Sequence, residues 1–155
     1  MSTLSVDTIQ GQTTAANVKL PAGCILQVIQ GTHATEVTHN TSAYTDTGLT
    51  ATITPKYNNS KIYILVNQGV YWTGNGFSIK ILRGSTGIST PPVNYDIHDN
   101  SVSNARDKIT LTHLDSPATT SATTYKTQLH GHSSGTFKTN NDNTTSTMTL
   151  MEIAQ

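Results

Sequence analysis

The sequence predicts an all-β fold, a jelly-roll-like β-sandwich with an extended N-terminal arm. Three features carry the prediction: composition, period-2 alternation and the spacing of turn residues. Hydrophobic residues make up only 34% of the 155 and charged residues only 12%, with Thr, Ser and Asn filling the difference. Disordered chains are also poor in apolar residues, but they are usually rich in charge and poor in β-branched residues. Thr suits a half-solvated pleated surface, because its branched Cβ packs while its hydroxyl stays wet. A chain of this length fits one domain, which buries roughly 70% of the surface its unfolded form exposes.

The elements follow in order. Residues 1–22 read as an arm: Leu4, Val6 and Ile9 stand among polar residues, Gly11 to Asn17 is small and polar, and Pro21 and Gly23 close the stretch. The body, 23–155, is a string of short strands. Cys24 to Gln30 is rich in Ile and Val, Ala34 to His39 is a Thr-bearing edge strand, and Leu49 to Thr54 alternates until Pro55. Lys61 to Val70 holds the most hydrophobic run, Ile62 to Val66, and belongs at the sheet centre. The turn Thr73-Gly74-Asn75-Gly76 leads to Phe77–Arg83, with Phe77, Ile79 and Ile81 inward and Ser78, Lys80 and Leu82 on the other face. Gly84 to Ser103 contains Pro91-Pro92 and reads as loop, with a short strand over Val93–Ile97. Lys108 to Leu114, Ala122 to His130, Thr136 to Thr139 and Thr145 to Ile153 complete the set. No segment shows a helical stripe over ten residues, and strands every 8–12 residues or so point to a sandwich or barrel.

Several function classes are excluded at this stage. Net charge is zero, so the basic stripe that nucleic-acid binding requires is missing. The single cysteine, Cys24, allows no intrachain disulfide and reads as a small buried hydrophobe. Met1 to Asp7 lacks the basic and apolar regions of a signal peptide, and no apolar run reaches the ~18 residues of a membrane span. Synthesis and assembly in a cytoplasm are expected. No nucleophile elbow, phosphate-cradling loop, zinc spacing or calcium loop is present, and no carboxylate pair stands out, so no enzyme activity and no cofactor are expected.

Four segments carry a resemblance. Ser2 to Gln10, Leu20-Pro21-Ala22-Gly23-Cys24-Ile25-Leu26-Gln27-Val28, Leu114-Asp115-Ser116-Pro117-Ala118-Thr119-Thr120-Ser121-Ala122-Thr123-Thr124-Tyr125-Lys126 and Ser146 to Ile153 together resemble the short β-rich, tail-fibre-like virion proteins of cyanophages and other marine tailed bacteriophages. The match is one of style over most of the chain, weakest from Gly84 to Ala105. It implies a virion location, a jelly-roll-like domain and a homotrimer, with other virion proteins as partners, and it brings no catalytic residue.

Candidate contact residues are few. Tyr71-Trp72 beside the turn holding Asn75 places aromatics near amide and hydroxyl groups, which could stack on a sugar; the plainer reading is that Trp72 covers the end of the core. Tyr95, His98 and Asp99 lie in the long irregular segment, where binding residues concentrate. His130 and His132 are two apart, as metal ligands on one strand face would be, although Gly131 and Ser133-Ser134-Gly135 suggest a turn with exposed histidines. Leu4, Val6 and Ile9 are the arm's particle-anchoring residues. Together with the resemblance, which implies a fibre-like appendage, these residues lead to the expectation of contact with a host surface glycan, without membrane insertion. A capsid decoration (cement) protein is the alternative, and a free carbohydrate-binding module a second one. The arm disfavours the module, since an arm that orders by strand addition serves a particle-bound protein.

Overall fold

The computed structural model describes residues 20–39, 43–92, 96, 104–132 and 135–155. The strands are β1 (Ile25–His33), β2 (Val37–His39), β3 (Thr45–Ile53), β4 (Lys61–Trp72), β5 (Phe77–Arg83), β6 (Thr86–Ser89), β7 (Ala105–Asp115), β8 (Thr123–Gly131), β9 (Phe137–Thr139) and β10 (Ser146–Ile153). A 3-10 turn spans Asn141–Asn143. Asn140, Asp142 and Asn143 there adopt the left-handed backbone conformation, which short polar side chains tolerate best.

Two antiparallel sheets result. In the first, β4 is central, as its run of Ile and Val predicts. One flank of β4 pairs with β10 and then β9, which in turn pair with β1 and β2; the other flank pairs with β7 along Ile62 to Trp72. The second sheet runs β3-β8-β5-β6. Alternation decides which side chains meet between the sheets. Ile62, Ile64, Val66, Met148 and Leu150 of the first pack against Leu49, Ala51, Ile53, Ile81 and Tyr125 of the second. Val70, Trp72, Phe77, Ile79, Leu129 and Phe137 form a second cluster. The chain is therefore an all-β sandwich.

A layer of buried polar groups separates the clusters, at the inward positions between Val66 and Val70 and between Tyr125 and Leu129. The Thr47 and Thr127 hydroxyls lie 2.6 Å apart. Thr127 donates to Gln68 Oε1 at 3.0 Å, and Gln68 Nε2 donates to Ser146 Oγ at 2.8 Å. Ser146 continues to Asn140, whose Nδ2 donates to the Thr35 carbonyl. Each member has its partners, so the layer avoids the cost of unsatisfied buried groups.

β1 closes against β3 where Gly31 meets Thr50: a Cβ on Gly31 would stand 1.9 Å from the Thr50 carbonyl oxygen, so only glycine fits. At the base of β1, Gly23 N–H donates to the Ala154 carbonyl and Ala154 N–H to Cys24. Glu152, fully buried, receives the Lys56 N–H and the Gln27 amide.

Two expectations change. The segment from Gly84, expected to be loop, begins with strand β6 paired to β5. Leu82 and Ser78, expected on an outer face, are buried. Ser78 Oγ donates to the Pro92 carbonyl, so the segment beyond β6 covers that part of β5. The short strand expected over 93–97 falls outside the described residues, apart from Asp96.

Candidate functional site

β3, β8 and β5 carry outward side chains that alternate with the core positions Tyr125, Thr127 and Leu129. On β8 the outward set is Lys126, Gln128 and His130. The register places Gln128 between Asp46 and Lys80, and His130 beside Ser78. Tyr44, just before β3, lays its ring 5.2 Å from the His130 ring, and Lys80 Nζ sits 4.3 Å from the Tyr44 ring centre. Tyr44 Oη donates to the Pro91 carbonyl at 3.3 Å. Asp46 accepts from Lys126 Nζ at 2.9 Å and from Gln128 Nε2 at 2.6 Å.

Asp96 closes one side of this surface. Its Oδ2 accepts the Ile79 backbone N–H, filling a β5 position beyond the reach of β6. Burial pushes its carboxyl above the ordinary range, against the Ile79 hydrogen bond. Burial also raises the Tyr44 phenol, and the Asp96 charge adds to that. The patch thus joins an aromatic ring, an amide and charges of both signs on a rigid sheet. Chemically it can hydrogen-bond and stack on a hydroxyl-rich ligand.

The residues singled out from sequence fare differently. Trp72 is not an exposed platform: it is 5% exposed and packs edge-on against Phe77 with ring centres 5.3 Å apart. β4 runs through Trp72, so alternation turns it inward with Val70. Asn75 is half-buried in the following turn. His130 lies on the patch, and His132 follows the end of β8, its N–H donating to the Gly76 carbonyl. Among the described residues, no third His, Cys, Asp or Glu joins them in a metal-binding group. Tyr95, His98, Asp99, Leu4, Val6 and Ile9 lie outside the described residues.

Sequence reasoning missed Tyr44, Asp46, Lys80 and Gln128. Part of the signal was readable, because Lys126, Gln128 and His130 alternate with apolar or buried partners along one strand. Their neighbours come from strands about 50 and 80 positions away in the chain, and only the pairing register brings those together. No helix among the described residues is long and apolar enough to cross a membrane. A scan against models of known families finds no match, and a search of curated proteins finds none.

Proposed function

We propose that this chain is a structural protein of a tailed-phage particle, a homotrimeric fibre-like surface appendage that contacts the host and catalyses nothing. The observation that carries the reading is the contrast between the two outer faces. The second sheet displays the polar, aromatic patch of Tyr44, Lys80, Gln128 and His130. The first sheet presents a face nearly free of charge across β1, β10 and β4, with Lys61 the only charged side chain among their outward positions. One face suits display and the other suits contact within an assembly.

The pairing order supports a jelly roll. β1 pairs with β10, β3 with β8, β4 with β7 and β5 with β6, a nested set of antiparallel pairs. Rolling such a set places alternate pairs in two facing sheets, the arrangement of the two-sheet jelly rolls of capsid and lectin domains. The sequence resemblance to tail-fibre-like virion proteins supports the virion location, with the arm of residues 1–22 anchoring the body to other virion proteins.

Quantitative labelling of purified particles with an antibody to this chain tests the reading. A few trimers per particle, clustered on the tail, is the expected result. Hundreds of copies spread over the head would replace it with a capsid decoration protein. Absence from particles would remove the virion reading altogether.

A further inference from the structure

The outer face of the first sheet carries an apolar row that crosses its full width. Val28 pairs with Met151, Met151 with Tyr63 and Tyr63 with Leu114. The two ends, Val28 and Leu114, are 54% and 48% exposed. Ile25 and Ile153 pair at the end of the same face, with Ile25 exposed as well. The next rows, Gln30–Thr149–Leu65–Thr112 and Thr32–Thr147–Asn67–Thr110, carry no charge. Scattered surface hydrophobics need no explanation, but a contiguous row does.

Charge enters this face at Lys61, beside Ile153, and again farther along, at Lys138 on β9, Arg106 on β7 and at the two margins. Val37, Thr139, Val70 and Asp107 form one row through β2, β9, β4 and β7, which faces inward at the buried Thr139 and Val70. One step away, Glu36 stands at the β2 margin and Lys108 at the β7 margin, level with each other. Glu36 pairs with Lys138 at 2.7 Å and stays exposed, while Lys108 has no ion pair among the described residues. Each margin therefore bears an apolar residue and a charged one at matching heights: Val28 and Glu36 on one side, Leu114 and Lys108 on the other.

Margins that match in height but differ in sign complement each other when copies turn about an axis parallel to the strands. We propose that three copies of this chain close head to tail through this face, with Leu114 of each copy meeting Val28 of the next and Lys108 meeting Glu36. Tyr63 and Met151 then lie nearest the axis. The proposal rests on the trimeric reading given above and specifies its contact. Dimensions agree with it. Four strands spaced ~4.8 Å make a face roughly 19 Å wide, and three such faces stand about 5.5 Å from a common axis. That is close to half the ~10 Å between packed sheets, so one layer of side chains from each copy fills the centre. A contact of this kind is heterologous, and it closes because the rotation returns to its start.

Sedimentation of the full chain at micromolar concentration tests the contact. The wild-type chain should sediment as three copies. Leu114→Asp and Val28→Asp should each fall to one copy with unchanged circular dichroism, because both side chains are exposed. Mixing the two variants should yield a two-chain species, since each keeps one intact margin. Lys108→Glu, a milder change that leaves the apolar row whole, should weaken association at least tenfold at low salt. If Leu114→Asp and Val28→Asp both remain trimeric, the contact lies elsewhere and this inference falls while the trimeric reading stands. A wild-type chain that sediments as one copy overturns the trimeric reading, and the inference with it.

Discussion

The Tyr125 phenol donates to Asp115 Oδ2 at 2.7 Å, a bond that ties β8 of one sheet to the end of β7 in the other. Arg83 approaches the same carboxylate, with Nη1 at 2.9 and 2.8 Å from its two oxygens. Tyr125 is fully buried and Asp115 nearly so, while the Arg83 side chain is about one-third exposed. Burial, reinforced by the neighbouring carboxylate, pushes the Tyr125 phenol well above its ordinary range. It stays a neutral donor at any pH the fold meets.

Asp115→Ala should therefore destabilise the domain by about 2–3 kcal/mol, because it strands a buried hydroxyl and a half-desolvated guanidinium. Tyr125→Phe, which removes a donor and leaves the ring in the core, should cost only about 1 kcal/mol. Urea denaturation of the two variants checks the ordering. Equal losses would mean that the phenol–carboxylate bond alone holds this corner and that the Arg83 contact adds nothing.

His39 gives the fold a pH dependence with a definite sign. Its ring is buried between Thr45 Oγ1 at 2.7 Å and Thr139 Oγ1 at 3.0 Å. Burial lowers its pKa from 6.5 to about 4. In the unfolded chain the imidazole gains its proton near pH 6.5, and in the folded chain only near 4. Between those values the unfolded state binds more protons, so stability falls as pH drops through the window. The loss should reach about 3 kcal/mol at pH 4. Thermal midpoints from pH 7 to 4 should show this slope, and His39→Gln should flatten it.

The polar layer between the two core clusters should matter through its partners. Gln68→Leu keeps the volume but leaves the hydroxyls of Thr127 and Ser146 without their amide partner. The expected cost is about 2 kcal/mol, from buried hydroxyls that each lose one partner of their network. Adding Thr127→Val should recover part of it, since removing both ends of a buried bond is cheaper than removing one. A double-mutant cycle on unfolding free energies measures the recovery.

Strand content was legible where alternation ran unbroken. Phe77–Arg83 and the start of β4 at Lys61 emerge as read, and the centrality of β4 follows from Ile62 to Val66. β6 was hidden because its four residues, Thr86 to Ser89, hold one large apolar side chain, Ile88, and sit at a sheet edge. Trp72 was open to two readings, a platform or a cover for the end of the core; two further residues of strand after Val70 place it inside, as the plainer one had it. The surface patch and the apolar row were beyond reach for a different reason. Both are built across strands, from residues such as Val28, Met151, Tyr63 and Leu114, and no local pattern encodes which strands become neighbours.

The patch on the second sheet gives the functional prediction its sharpest form. Lys80 and Gln128 are half-exposed neighbours whose outward ends serve no core contact. Replacing both with Ala should change stability by under about 0.5 kcal/mol each and leave the assembled state intact. If the patch holds a hydroxyl-rich host ligand, the double variant should adsorb to host cells several-fold more slowly, since it loses an amide and a cation beside the Tyr44 ring. Adsorption and capsid melting are measured on the same mutant phage. Normal adsorption with heads that melt early would instead assign this surface to contacts within the capsid, because a patch that only recognises a host has no part in the resistance of the head to heat.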